Sequence, residues 1–195
     1  MKKIVTTLIM LLTVQAVFAQ TIETELIKQI NQLRLQMGGP DSGLSPFVRN
    51  SALDSAAMYH AKWVVASGLR GHVETKPAGG IAPLAQPWDR AAKYGVTAYC
   101  ENLIQYNEYV MTGNRVDVKK TALSVFLCWK NSKGHYDNML YTMSKKCEAR
   151  IGIAIVKRTD GSFCIVMIVG ANVEDRKSTR LNSSHIPLSR MPSSA

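Results

Sequence analysis

Arg150-Ile151-Gly152-Ile153-Ala154-Ile155-Val156-Lys157, then Arg158-Thr159-Asp160-Gly161, then Ser162-Phe163-Cys164-Ile165-Val166-Met167-Ile168-Val169 is the stretch that decides the fold. Two β-branched runs joined by an Asp-Gly turn signal predict an antiparallel hairpin. One face of Ile151–Ile155 is branched and the other small, while Phe163–Val169 is apolar on both faces. A strand apolar on both faces has to be covered on both, so helices are expected on either side of this sheet.

Upstream, the sequence supplies those helices. Leu26, Ile27, Ile30 and Leu33 recur at helical spacing, with Glu23 and Glu25 in the first turn and Gly38-Gly39-Pro40 as the stop. A second helix is predicted from Ser51, where Ser51 and Asp54 have the spacing of a capping box. Its apolar stripe runs Leu53, Ala57, His60/Ala61, Val64, and Gly68 closes it. Gly71–Pro87, with three Gly and three Pro, reads as a loop. Pro87–Tyr94 reads as a short helix and Tyr99–Tyr106 as a strand. Asp117 caps a third long helix with Val118, Ala122, Val125 and Trp129 on one face, ending near Ser132-Lys133-Gly134. Helices first and hairpin last argue for one α+β domain, an α-β-α sandwich around a central antiparallel sheet, without repeats or a second domain.

The two ends are of a different kind. Lys2-Lys3, an apolar run from Ile4 to Val14 and Val17-Phe18-Ala19 before Gln20 form a signal-peptide pattern over residues 1–19. The run is shorter than the roughly 20 apolar residues that span a bilayer, so no stable membrane span is expected. Residues 175–195, six of them Ser, have no helical or strand period and read as a disordered tail. They also resemble the conceptual translation of a sequencing adapter, in RKSTRLNSSH and SRMPSSA, which would make them non-native. The formal charge of +10 on 195 residues would by itself point to an anionic partner. Two of those charges belong to the leader lysines, and three to the tail with its four basic and one acidic residue. The domain at residues 20–174 keeps half of the total, and with no basic-aromatic motif no nucleic-acid partner is expected.

Cys100, Cys128, Cys147 and Cys164 all lie in that domain. An even count in an exported chain favours disulfides, with three connectivities open; buried unpaired thiols are the competing reading. No C-x-x-C occurs, which argues against a zinc knuckle or a redox motif.

Three histidines remain outside the tail. His60 lies mid-helix on the apolar stripe and reads as a satisfied core residue. His72, in Arg70-Gly71-His72, and His135, in Ser132-Lys133-Gly134-His135, stand at element ends, where functional side chains are displayed. Glu101, in Tyr99-Cys100-Glu101-Asn102-Leu103, is a carboxylate in an otherwise apolar strand and requires a partner or a polar cavity. Two imidazoles and a carboxylate suit a zinc site with an open position, and equally suit acid–base chemistry.

Three motifs in order carry a family resemblance: Ala57-Met58-Tyr59-His60-Ala61 followed by His72; Cys100-Glu101-Asn102-Leu103; and Trp129-Lys130-Asn131-Ser132-Lys133-Gly134-His135-Tyr136 with Asn138 and Leu140. Together they resemble the CAP superfamily, the SCP-like extracellular domain of cysteine-rich secretory proteins, antigen 5 and pathogenesis-related 1 proteins, over Thr21–Gly170. The resemblance implies an α-β-α sandwich whose cleft is lined by His72, His135 and Glu101. Two positions depart from the family pattern. Cys100 stands where a Gly usually precedes the Glu, and Ser132 stands where eukaryotic members carry a second glutamate.

The family is a scaffold with several activities, so membership leaves function open. The leading expectation is a secreted or periplasmic protein whose cleft binds a small molecule, lipid or peptide, or zinc or another divalent metal, through His72 and His135 with Glu101 in support. The alternative is a peptidase- or esterase-like hydrolase with His72, Glu101 and His135 as catalytic groups, Ser132 being a conceivable nucleophile. A third is a non-catalytic lipid-binding or interaction module. Whether the chain is an enzyme, and its oligomeric state, are left open at this level.

Overall fold

The closing hairpin forms as its composition requires, and the helices cover both of its faces. The computed structural model describes residues 21–38, 42–75, 83–143 and 148–172. In chain order the elements are α1 (Ile22–Met37), β1 (Val48–Arg49), α2 (Ser51–Ser67), α3 (Pro87–Lys93), β2 (Val96–Asn107), β3 (Met111–Thr112), β4 (Arg115–Val116), α4 (Val118–Lys130), α5 (Lys133–Met139), β5 (Arg150–Lys157) and β6 (Phe163–Asn172). The leader at 1–19, the tail at 175–195 and Cys147 lie outside the described residues.

Residues of one parity on the hairpin, Ile151, Ile153, Phe163, Ile165, Met167 and Val169, pack in one cluster with α1, α4 and the end of α5. The other parity, Ala154, Cys164, Val166 and Ile168, packs with Leu53, Ala56, Ala57, Ala61 and Val64 of α2 and Ala91 of α3. The period of two along the strand thus sorts the side chains into two cores. The result is the α-β-α sandwich.

The main sheet is ordered β1-β5-β6-β2, with β2 at one edge. It is mixed rather than wholly antiparallel, because the two-residue β1 runs parallel to β5. So short a strand leaves no periodic trace in the sequence. Where β1 stops, α2 takes over its pairing: Oδ1 of Asp54 accepts from the backbone N–H of Ile153 at 2.8 Å. This corrects the expected capping box. Asn50, in extended conformation, is the N-cap of α2, and its side chain accepts from Ala52 and Leu53. That frees Asp54 for the strand and for Arg49, whose Nε lies 2.9 Å away. The β3–β4 hairpin and α5 were also not anticipated. Gly134 inside α5 reads in sequence as a helix stop, so His135 lies within a short helix rather than in a loop.

The disulfide expectation fails for the three described cysteines, which are free thiols. The reason is geometric for one pairing: Cys100 belongs to the α1/α4 core and Cys164 to the α2/α3 core, so the sheet separates them. Burial raises the Cys100 thiol well above its ordinary value and pushes Cys164 up to about 12. Alkylation with iodoacetamide is therefore expected to label the exposed Cys128 in the native protein. Cys100 and Cys164 should be labelled only after denaturation, as read by peptide mass spectrometry. Native labelling of either buried cysteine would contradict this packing.

Candidate functional site

The site grows from the edge strand. Glu101 pairs in register with Ile168 and Asn102 with Met167, so the two side chains leave β2 on opposite faces and reach different helical layers. Glu101 is fully buried among charged partners. Nδ1 of His72 donates to its Oε1 at 2.8 Å, and Nη2 of Arg90 on α3 donates to its Oε2 at 2.8 Å. Burial alone would raise the Glu101 carboxyl. The charge of His60, the bond from His72 and the charge of Arg90 overcome that and hold it at about 2. The partner that a carboxylate in an apolar strand demands is thus present twice over.

Asn102 works on the other side. Its side-chain amide donates to the carbonyl of His135 at 3.0 Å, and its oxygen accepts from Asn138 at 2.8 Å. The Asn138 amide also donates to the Glu101 carbonyl at 3.1 Å, satisfying an acceptor on the free edge of β2. Consecutive residues of one strand therefore anchor the two histidines: Glu101 holds the ring of His72, and Asn102 holds the backbone of His135. Burial first, and the repulsion a protonated His72 would exert second, hold the His135 ring below the ordinary histidine value. The two imidazoles and the carboxylate named from the sequence thus belong to one locality, with the contact between His72 and Glu101 direct.

His60 is buried, as its place on the apolar stripe implies, yet it too faces this carboxylate. Its Nδ1 lies 2.9 Å from Oε1 of Glu74, and its Nε2 lies 3.1 Å from the Gly71 carbonyl and 3.7 Å from Oε1 of Glu101. Glu74 and Arg90 were missed by sequence reasoning. Arg90 bridges the two carboxylates, with Nη1 3.4 Å from Glu74, and also donates to the carbonyls of Ala85 at 2.7 Å and His72 at 3.1 Å. Glu74 lies two residues after His72, and the His-x-Glu spacing is the only signal it carried. Arg90 carried only the sign that it directly precedes Ala91 in an apolar helix turn.

As a metal site the donor set is short. Both oxygens of Glu101 are engaged, so it fits the part of a carboxylate that orients a histidine rather than that of a ligand. Among the described residues no group of three or more His, Cys, Asp or Glu is placed to hold a metal ion. Nor is any helix among them long and apolar enough to cross a membrane.

The fold and this side-chain cluster define a class: an α-β-α sandwich with an imidazole–carboxylate locus at its sheet edge. The sequence profile of the cysteine-rich secretory protein family, CAP, matches residues 27–170, and the chain belongs to that family. Among solved structures it is similar to an outer surface protein from Borrelia burgdorferi, with a TM-score of 0.51 and 19% sequence identity over 75% of this chain and 90% of that one. At that identity the likeness is one of fold. No curated protein matches the chain.

Proposed function

We propose that this CAP domain works outside the cytoplasm and binds a ligand in its cleft through His72 and His135, with Glu101 orienting His72. The observation that carries the reading is the 2.8 Å bond from His72 Nδ1 to Glu101. It commits one ring nitrogen to the carboxylate and leaves Nε2, which has no partner among the described residues, as the group offered to a ligand from a ring that is only partly buried. His135, held toward its neutral form, offers a second imidazole beside it. Two such rings accept hydrogen bonds from a ligand or share a divalent cation such as zinc, whose remaining positions solvent or ligand would fill. A bound cation would supply Lewis-acid character to whatever it held. Extracellular placement is supported by the family, by the leader pattern at residues 1–19 and by the fold neighbour being an outer surface protein.

Calorimetric titration with zinc chloride tests the metal version. Weak binding is expected, reduced in both His72→Ala and His135→Ala by at least the about tenfold that losing even an orienting partner of a metal ligand costs. Heats unchanged in the double variant would remove zinc from the account.

The same dyad favours one second reading. An imidazole oriented by a buried carboxylate is the geometry of a general base. The chain would then be a peptidase- or esterase-like hydrolase. Ester or peptide turnover abolished in His72→Ala would support this reading, and the absence of any turnover in the wild type would end it.

A further inference from the structure

We infer that the outer face of α4, with the β3–β4 hairpin beside it, docks the protein on a bilayer surface rich in anionic phospholipid, lying on that surface rather than crossing it. The face belongs to the α1/α4 layer, whereas Glu101 meets Arg90 in the layer of α2 and α3. It is therefore a second surface, distinct from the imidazole–carboxylate locus.

The inward stripe of α4 is already filled: Ala122, Val125, Phe126 and Trp129 lie in the core. Leu123 and Leu127, one turn apart, face the other way and are 45% and 43% exposed. At 3.6 residues per turn, Lys119, Lys120, Leu123, Leu127 and Lys130 fall within an arc of about 100°, and all five are exposed. Along the helix axis the stripe reads cation, leucine, leucine, cation. Lysine stems lie along apolar surface while their ammonium groups reach outward, so both residue types serve one contact.

The hairpin extends the apolar part. Met111 and Val116 are direct cross-strand partners and so share one of its faces, 51% and 41% exposed. It is fixed to the head of α4 by the Asp117 N–H, which donates to the Val110 carbonyl at 2.7 Å, and by the Val110 N–H, which donates to Thr121 Oγ1 at 3.0 Å. The only carboxylate between residues 111 and 130 is engaged. Asp117 caps α4 at the Lys120 N–H, accepts from Thr112 and lies 3.4 Å from Lys120 Nζ.

This chemistry selects the occupant. Among the described residues, Lys120 alone of the three lysines is ion-paired, so the stripe calls for negative charge. A second copy seated on the same face would set lysines against lysines. Nucleic acid supplies the negative charge but no apolar phase for the leucines. An anionic bilayer supplies both, headgroups for the ammonium groups and an acyl boundary for Leu123, Leu127, Met111 and Val116.

The test places a polarity-sensitive nitrobenzoxadiazole dye at residue 123 of the full-length protein, as Leu123→Cys with Cys128→Ser and Cys147→Ser; the buried Cys100 and Cys164 stay unlabelled in the folded state. With vesicles of phosphatidylcholine and phosphatidylglycerol, the dye is expected to shift to the blue and to be quenched by doxyl groups on the lipid chains. The same dye at Lys62→Cys, on α2, should do neither. Vesicles of phosphatidylcholine alone should give no shift, and added salt should reverse it. In Lys119→Gln/Lys130→Gln the affinity read from the dye should fall at least about tenfold, each lysine near an anionic surface contributing roughly fivefold. These lysines and Leu123 are exposed, so the core is untouched, which circular dichroism checks. No shift with anionic vesicles, an equal shift with neutral ones or at residue 62, or an unchanged affinity in the lysine variant overturns the proposal. A shift that grows with protein concentration in the absence of vesicles overturns it too, and assigns the face to a second copy of the chain.

Discussion

Gly152→Ala is expected to leave little folded protein. A Cβ built on Gly152 would lie 2.2 Å from the Leu53 carbonyl carbon and 2.3 Å from the Asp54 nitrogen, both of them backbone atoms of α2. No side-chain rotation relieves such a contact, so the helix has to lift from β5. Lifting it breaks the Asp54–Ile153 bond and empties part of the core formed by Leu53, Ala56, Ala57, Ala61 and Val64. Ordinary overpacking costs about 1–3 kcal/mol. A backbone clash that also unseats a helix should exceed about 4 kcal/mol, a large part of a domain's total stability. Thermal unfolding followed by circular dichroism measures it. A melting temperature within a few degrees of the wild type would show that α2 and β5 are not in this contact.

Arg90→Leu is the second substitution expected to be severe. The guanidinium is fully buried and bonds Glu101 Oε2, the Ala85 carbonyl and the His72 carbonyl, with Glu74 alongside. Leucine fills the volume but leaves two buried carboxylates against His60 alone, and removing one partner of a buried ionic set costs about 3–5 kcal/mol. The effect carries a pH signature. The Glu101 carboxyl is held at about 2 in the folded protein, below its ordinary value of 4.5. Its stabilisation is therefore complete above the unfolded value and lost as the pH falls from about 4.5 toward 2. Urea unfolding at a series of pH values should show wild-type stability dropping across that window by roughly 3 kcal/mol, from the size of the shift. The drop should be shallower in Arg90→Leu, whose carboxylates are already less favoured. Equal stability of the two proteins near neutral pH would mean that Arg90 is not the cation holding this network.

What the sequence made legible follows from periodicity and chemical necessity. The Ile151–Ile155 and Phe163–Val169 runs announce a sheet covered on both faces, and the helical stripes at Leu26–Leu33, Leu53–Val64 and Val118–Trp129 announce what covers it. Glu101 declares itself because a carboxylate in an apolar strand must be answered by something. The partners are another matter: Arg90 is 11 residues away on a different helix, and His72 is 29 away beyond a loop. Short elements escaped for a related reason. A two-residue strand such as β1 and a helix containing Gly134 are held by tertiary hydrogen bonds and have no pattern of their own.

By itself, then, the sequence offered His72, Glu101 and His135 as separate candidates without showing that they meet, and it determined the layered α+β domain and the burial of His60. These rest on local patterns that any chain of this composition must satisfy by sequestering apolar side chains. Only the tertiary structure decided that Glu74 and Arg90 join them, that Asn102 anchors His135, and that the sheet keeps Cys100 from Cys164. Charge pairing inside a protein is settled by which side chains are brought within a few ångströms in a medium that punishes any charge left alone, and that proximity is a property of the packed layers.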